Sequence, residues 1–253
     1  QDIAKQMRVG RQEDAHEFIR YFIEALQKSS IHGFEKLDNR IKETSVIHQI
    51  FGGYLLSQVK CHRCNYNSNT YDPILDFSLE IKNCDTIEKA FAQFTKPELL
   101  TKDNRYKCEK CNALVDARKR ITVHEAPAVL TVQLKRFDFL RYGRKVNKPV
   151  GFRETLDITP YMSPNQGRAV YKLYGVLVHA GHSCNSWHYF SFVKNSNDAW
   201  FSMNDTEVRQ VGLNTVLKQT AYILFYRRAD EAPAPSKPPV SKVRKTGICD
   251  SRF

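Results

Sequence analysis

No apolar run in this sequence approaches the length of a membrane span. The first residues, Gln1-Asp-Ile-Ala-Lys-Gln-Met-Arg8, carry neither an initiator Met nor the apolar stretch of a signal peptide. A processed product or a fragment is therefore expected. A disulfide framework is also disfavoured. The cysteine count is seven, an odd number, and two Cys-x-x-Cys pairs account for most of it. That pattern favours a metal site in a reducing compartment. The formal charge of +12 comes without a dense Lys/Arg helix or aromatics spaced as a nucleotide platform. A zinc-stabilised nucleic-acid binder is therefore only a remote alternative. What is present is 253 residues, 42% of them hydrophobic, enough for one large domain or two modest ones with real cores.

The clearest helix spans residues 11–29, with Ala15, Phe18, Ile19, Phe22, Ala25 and Leu26 at helical spacing on one face. Asp14 and Glu17 have the spacing of a capping box, Asp14 at the N-cap and Glu17 three residues on. Capping alone explains both acids; an acidic helix start beside a cleft could also meet a basic ligand. His16 reads as a packed or surface histidine. A short helix is expected from Thr44 to Ile50, stopping at Gly52-Gly53. A strand then leads from Tyr54 to Val59 into the first cysteine pair.

Cys61 and Cys64 form one knuckle, Cys108 and Cys111 a second. Two such pairs make a closed tetrahedral site with four thiolate ligands, which points to structural Zn2+ rather than a catalytic metal. Asn65 and Asn112 each follow their pair, where a turn belongs. The long spacer must hold structure, read as a strand from Tyr71 to Ile81 and a helix from Thr86 to Phe94. Strands are expected over Ala113–Glu125 and Val129–Phe137, with Lys145–Phe152 continuing toward the sheet.

The stretch from Tyr171 to Asp205 reads as strand, polar loop, strand, turn, strand, with His179, His182 and His188 around the loop. If these strands pair as a meander, Asn204 and Asp205 return beside His188. A histidine held by an amide or a carboxylate is the base half of a nucleophilic site. A strand histidine bonded to its neighbours is the competing reading. A short helix near Leu213–Gln219 and a last strand, Ala221–Tyr226, follow. Residues 229–253 are a disordered, basic, Pro-rich tail, read as a solvated linker with a nuclear address as the alternative.

Taken in order, these landmarks resemble the ubiquitin-specific protease family of cysteine deubiquitinases. The resemblance rests on Gln12-Glu-Asp-Ala-His-Glu-Phe18, Phe51-Gly-Gly-Tyr54, the two cysteine pairs and Gln133-Leu-Lys-Arg-Phe137. It continues through Tyr171-x-Leu-x-Gly-Val, His179-x-Gly181, His188-Tyr189, Trp200-x-x-Met-Asn204-Asp205 and Ala221-Tyr-Ile-Leu-Phe-Tyr226. Within the family, the nuclear and nucleolar branch looks closest. A nuclear or nucleolar location is therefore expected ahead of a cytoplasmic one.

The resemblance implies an α+β fold of the papain-like fingers–palm–thumb type, with an antiparallel palm sheet, zinc-tipped fingers and an incomplete thumb. The catalytic domain would span 1–228, with fingers at about 54–124 and palm at about 125–228. His188 would be the general base, Asn204 its orienter and Asp205 a supporting acid. Asp14, Glu17, His179, Gly181 and Tyr189 would line the path of ubiquitin's C-terminal tail, with residues 179–186 as a loop over it. Cys61, Cys64, Cys108 and Cys111 would hold the zinc. The partners would be ubiquitin and ubiquitinated proteins, and the reaction hydrolysis of the isopeptide bond after ubiquitin's terminal glycine.

Two departures stand out. The family's Asn-x-Gly-Asn-Thr-Cys type of box, with the nucleophile and an oxyanion donor, is not present; of the unpaired cysteines Cys84, Cys184 and Cys249, none reads as a nucleophile. Trp187 stands where the family has glycine before the catalytic histidine, and an indole there would crowd the slot for the terminal Gly-Gly. The chain alone is therefore expected to be inactive, and a non-catalytic ubiquitin-binding pseudoprotease is the alternative.

Overall fold

The computed structural model describes residues 3–8, 10, 13–33, 38, 43–138, 144–181 and 188–229. Gln12, residues 182–187 with Cys184 and Trp187, and residues 230–253 with Cys249 lie outside the described residues. Four α-helices are described: α1 (Ala15–Ser30), α2 (Val46–Phe51), α3 (Ile87–Phe94) and α4 (Leu213–Leu217). The strands up to the middle of the chain are β1 (Gly53–Cys61), β2 (Asn67–Ile74), β3 (Phe77–Leu79), β4 (Glu98–Leu100), β5 (Tyr106–Cys108), β6 (Ala113–Val115), β7 (Ala117–Glu125) and β8 (Val129–Leu134). They are followed by β9 (Phe137–Asp138), β10 (Arg144–Lys145), β11 (Thr155–Asp157), β12 (Val170–Ala180), β13 (His188–Lys194), β14 (Trp200–Asn204), β15 (Glu207–Val211) and β16 (Ala221–Arg228).

Two larger sheets organise these elements. An eight-stranded sheet runs β15-β14-β13-β12-β16-β8-β3, with β11 pairing β12. All its pairings are antiparallel except β3 with β8. A four-stranded sheet runs β2-β1-β7-β4, and the β5-β6 hairpin stands beyond it. This is the α+β architecture expected. The meander expected for the histidine stretch is present as β12-β13-β14-β15.

The main core packs α3 against the large sheet. Phe91 is fully buried, meets Phe77 edge-on at 5.4 Å and stacks on Tyr161 at 5.4 Å. Full burial of side chains of this size stabilises by roughly 1.5–3 kcal/mol each. Thr86 caps α3 through Lys89 N, which explains why that helix begins where its sequence says.

Four expectations need correction. In α1 the buried residue is Ile23, while Phe18 and Phe22 are 46% and 41% exposed and stack on each other at 6.2 Å. The helix is rotated so that Ile19 and Ile23, four residues apart, turn toward a cavity shared with Pro73 and Ile74 of β2. The strand expected over Tyr71–Ile81 is two strands, because the chain bends at Leu75-Asp76. The strand expected over Ala113–Glu125 breaks at Asp116, and β8 stops at Leu134. Beyond it Arg136 turns inward, 1% exposed, and donates to the carbonyls of Ala221 at 2.6 Å, Val146 at 2.9 Å and Lys148 at 2.9 Å. The segment after Lys145 was expected to lead toward the sheet, and Arg136 ties residues 146–148 to Ala221 of β16 as irregular chain.

Candidate functional site

His188 opens β13 and Asn204 closes β14. The register Ser191↔Met203 brings the two strand ends together. His188 Nε2 lies 2.6 Å from Asn204 Oδ1. With Nε2–H donating to an amide oxygen, the neutral ring keeps its lone pair on Nδ1, ready to take a proton. The imidazole is solvent-exposed, open to a partner. Asp205 follows in the turn at φ 51, exposed, and no hydrogen bond joins it to His188 or Asn204 among the described residues.

The start of α1 is tied to the same sheet. Asp14 Oδ1 caps the helix by accepting from Glu17 N at 3.0 Å. Asp14 Oδ2 accepts from Tyr222 Oη–H at 2.6 Å, and Tyr222 in turn accepts from Gln133 Nε2 at 3.2 Å. Ala15 N donates to the hydroxyl of Tyr189, the residue after His188, at 3.3 Å. Burial, and then Asp14, hold both tyrosine hydroxyls well above their ordinary pKa, so they stay protonated. The acidic helix start is thus anchored to the strand that carries His188. Glu17 gives only half of the expected capping box: its carboxylate accepts from Tyr21 Oη at 3.0 Å.

His179 is not in a loop. It lies in β12, 3% exposed, edge-on to Tyr189 at 5.0 Å and to Phe137 at 5.3 Å. It therefore supports Tyr189 from beneath, and Gly181 follows the end of the strand. His16 was expected to be unremarkable; its Nε2 pairs with Asp76 at the β2–β3 bend. Beside that pair a cavity of about 440 Å³ is lined by Glu17, Arg20, Glu24 and Ile74. The roles of Tyr222, Gln133 and Asp76 had no local signal, since each meets a partner far away in the chain.

The second site is at the far end of β1 and β7. The sulfurs of Cys61, Cys64, Cys108 and Cys111 all lie within 4.8 Å of one another. Cys61 Sγ is 3.8 Å from Cys111 Sγ, and Cys64 Sγ is 3.7 Å from Cys108 Sγ. A tetrahedron with Zn–S bonds of about 2.3 Å has edges of roughly 3.8 Å. Asn65 and Asn112 adopt φ 57 and 48, so both knuckles close with the same left-handed turn. Cys64 N points to Cys61 Sγ at 3.4 Å and Cys111 N to Cys108 Sγ at 3.5 Å. Thiols this close cannot all ionise unaided. For Cys61, burial raises the pKa but bonding from Cys64 prevails and brings it to about 7. Cys111 is pushed up to about 12, first by bonding to Cys64 and then by burial. A divalent cation would supply the missing counter-charge, and the four residues fit one. Cys84 is separate, buried in the main core with Ile81 and Ile87.

Comparison with known proteins adds the following. A family model described as ubiquitin carboxyl-terminal hydrolase matches residues 1–226. The chain is 49% identical over 230 residues to ubiquitin carboxyl-terminal hydrolase 42 of Homo sapiens, a match covering 90% of this chain and 17% of that protein. It is 43% identical over 236 residues to probable ubiquitin carboxyl-terminal hydrolase 16 of Schizosaccharomyces pombe, covering 93% of this chain and 51% of that protein. A solved structure of the SAGA DUB module (Ubp8, Sgf11, Sus1 and Sgf73) bound to monoubiquitin superposes with a TM-score of 0.78 at 36% identity, over 87% of this chain and 49% of that chain. The same module bound to ubiquitin aldehyde gives 0.76 at 35%, over 87% and 50%. The chain spans about half, or less, of the length of these relatives.

Proposed function

The chain belongs to the ubiquitin carboxyl-terminal hydrolase family, and from that premise we propose that it carries the base half of a cysteine deubiquitinase. The observation behind this reading is the 2.6 Å bond between His188 Nε2 and Asn204 Oδ1 across neighbouring strands. In this role Asn204 holds the ring so that Nδ1 faces a cysteine thiol. Nδ1 takes the thiol proton, and the thiolate attacks the carbonyl carbon of ubiquitin's terminal glycine. The imidazolium returns the proton to the departing lysine amine, and water then hydrolyses the thioester. Asp205 is a supporting acid. Asp14 and Glu17 meet the basic tail of ubiquitin, with Tyr189, Gly181 and, from below, His179 shaping its path. The four cysteines hold structural Zn2+. The catalytic domain is 1–228, with fingers at about 54–124 gripping the body of ubiquitin and palm at about 125–228; 229–253 is a tail.

The nucleophile is not among the described residues. Four described cysteines form the metal cluster, and Cys84 is 4% exposed inside the core. We therefore expect this chain by itself not to cleave ubiquitin–aminomethylcoumarin. The longest natural polypeptide containing it is expected to do so, and His188→Ala there should lower kcat by about 10²–10⁴-fold. Turnover that survives His188→Ala, or turnover by the chain alone that Cys184→Ala abolishes, overturns the assignment.

Trp187 favours a second reading, a ubiquitin-binding pseudoprotease. A natural polypeptide that binds ubiquitin without turnover and gains turnover on Trp187→Gly establishes it. A nuclear or nucleolar location is part of the first reading, resting on the branch resemblance. Imaging of the tagged polypeptide outside the nucleus removes it.

A further inference from the structure

The four-stranded sheet has two faces of opposite character. Residues directly opposite in the register share a face. On one face Lys119 of β7 lies opposite Glu98 of β4, a complementary pair. On the other face Lys60 of β1 lies opposite Arg118 of β7, two like charges, and Gln58 lies opposite Arg120 one step further on. Like charges set directly across a ladder are destabilising. Cations elsewhere in the molecule are matched with acids: Lys89 with Asp85 at 2.8 Å, Lys194 with Asp198 at 2.8 Å and with Glu154 at 3.1 Å. Among the described residues Lys60, Arg118 and Arg120 enter no ion pair with a carboxylate. They line a groove of about 180 Å³ with Gln58 and Pro97, and no acidic side chain contributes to its wall.

The groove is also organised. Arg120 Nε donates to Thr95 O at 3.2 Å, which holds the guanidinium at the wall, and Gln58 Nε2 is committed to Asn69 Oδ1 at 2.9 Å. Leu99 of β4 lies opposite Arg118 on this same face and is 62% exposed. Among the described strands β4 is the outer strand of its sheet, so one row of its backbone N–H and C=O groups is unpaired. An unpaired edge, an exposed leucine and three uncompensated cations together suit an extended peptide. The edge supplies main-chain hydrogen bonds, the leucine takes an apolar side chain, and the cations take acidic ones. A nucleic-acid strand needs a longer basic track, and the neighbours on β2 in these rows are Asn67 and Asn69.

We propose that this face is a docking groove for an extended acidic segment of a partner protein, added along the β4 edge with an apolar side chain on Leu99, carboxylates reaching toward Arg118 and Arg120 of β7, and Lys60 of β1 adding positive potential behind them. The groove is independent of the His188 site, and its function stands whether or not the deubiquitinase reading does.

The test is fluorescence anisotropy with the whole chain carrying its metal. The probe is a short labelled peptide of alternating leucine and glutamate; the same peptide with glutamine, a short DNA duplex and free ubiquitin are the comparisons. The glutamate peptide is expected to bind in a salt-sensitive way, at least about tenfold more tightly than the glutamine peptide. Lys60→Glu with Arg118→Glu should lower that affinity by about tenfold or more, and Leu99→Asp should lower it too, while Lys119→Gln on the opposite face should leave it unchanged. If the charge-reversed protein loses its metal, Lys60→Gln with Arg118→Gln replaces it, with the same direction expected. Equal binding of the glutamine peptide, or no loss on charge removal, overturns the proposal. Tighter binding of the duplex at the same residues assigns the groove to nucleic acid instead. Displacement of the peptide by ubiquitin assigns it to ubiquitin. Both results also overturn the proposal.

Discussion

The two hydrophobic clusters of this molecule are unequal in kind. Around the large sheet, α3 and the strands bury a continuous core with Phe77, Leu79, Phe91, Leu130, Val132 and Tyr226 nearly or fully out of water. At the far end of β1 and β7 the fully buried members are Cys61 and Cys108, with Val115 at 8% exposure and a ring of partly exposed neighbours. The first region has enough apolar area to be stable by packing. The second does not, and its four thiols fit a site in which a cation would tie them together. A metal bound there would do the work of a core, so the two regions should respond to different perturbations.

Metal removal is the largest of these. Structural zinc sites of this donor type contribute on the order of 10 kcal/mol or more to the fold that holds them. Chelation is expected to abolish amide protection across β5, β6 and the cysteine ends of β1 and β7, and to leave β8, β12 and β16 protected. Hydrogen exchange measures both at once. Equal loss everywhere would mean the two regions are one cooperative unit, and equal retention would remove Cys61, Cys64, Cys108 and Cys111 as ligands.

The reverse perturbation comes next. Phe91→Ala should cost about 3–5 kcal/mol, because the site cannot collapse around a ring that touches both Phe77 and Tyr161. In a urea titration the metal should stay bound until the large sheet unfolds. Val115→Ala, in the small cluster, should cost no more than about 1–2 kcal/mol with the metal in place. Similar costs for the two substitutions would break the contrast.

A smaller effect separates anchoring from capping at α1. Asp14→Ala loses both the N-cap and the Tyr222 bond, about 1–3 kcal/mol together. Tyr222→Phe loses only the second, about 1 kcal/mol. Under the proposed function, Tyr222→Phe in the natural polypeptide should raise KM for ubiquitin substrates more than it lowers kcat. Unfolding in urea gives the stability terms, and steady-state kinetics give the rest.

How much of this was legible in the sequence follows from the range of each signal. Knuckles, caps and the meander are local: Asp14, Thr86, Asn65 and Asn112 sit where their neighbours predict. The pairing of His188 with Asn204 was legible because one hairpin separates them. Strand ends were not. Whether β8 stops at Leu134 depends on Arg136 finding the carbonyl of Ala221 across the sheet. The rotation of α1 escaped because Phe18 and Ile19 are equally apolar in a pattern count, and only the approach of α2 and β2 decides which goes inward. The tie from Asp14 to Tyr222 joins residues 208 positions apart, beyond any periodicity.

The smallest expected effect concerns acid. His48 of α2 is 8% exposed, meets Tyr54 edge-on at 5.7 Å, and its Nε2 has no hydrogen-bond partner among the described residues. Burial lowers its pKa below the ordinary 6.5, with the Glu43 carboxylate opposing the shift. The unfolded chain therefore takes up a proton near the ordinary value that the folded ring refuses. The sign follows: this contribution to stability is fully present above that value and is lost as pH falls through the depressed one. His124, lowered by burial in the same way, adds to the slope. Urea midpoints of the large-sheet signal should fall from pH 7 to pH 5, and His48→Phe should flatten that slope while leaving the carboxylate contributions in place. A slope unchanged in His48→Phe, and unchanged again when His124 is replaced as well, would move the acid sensitivity to the cysteine cluster, where protonation of the thiolates would release a bound metal. Acid would then be one more way of unfolding the small cluster before the large core.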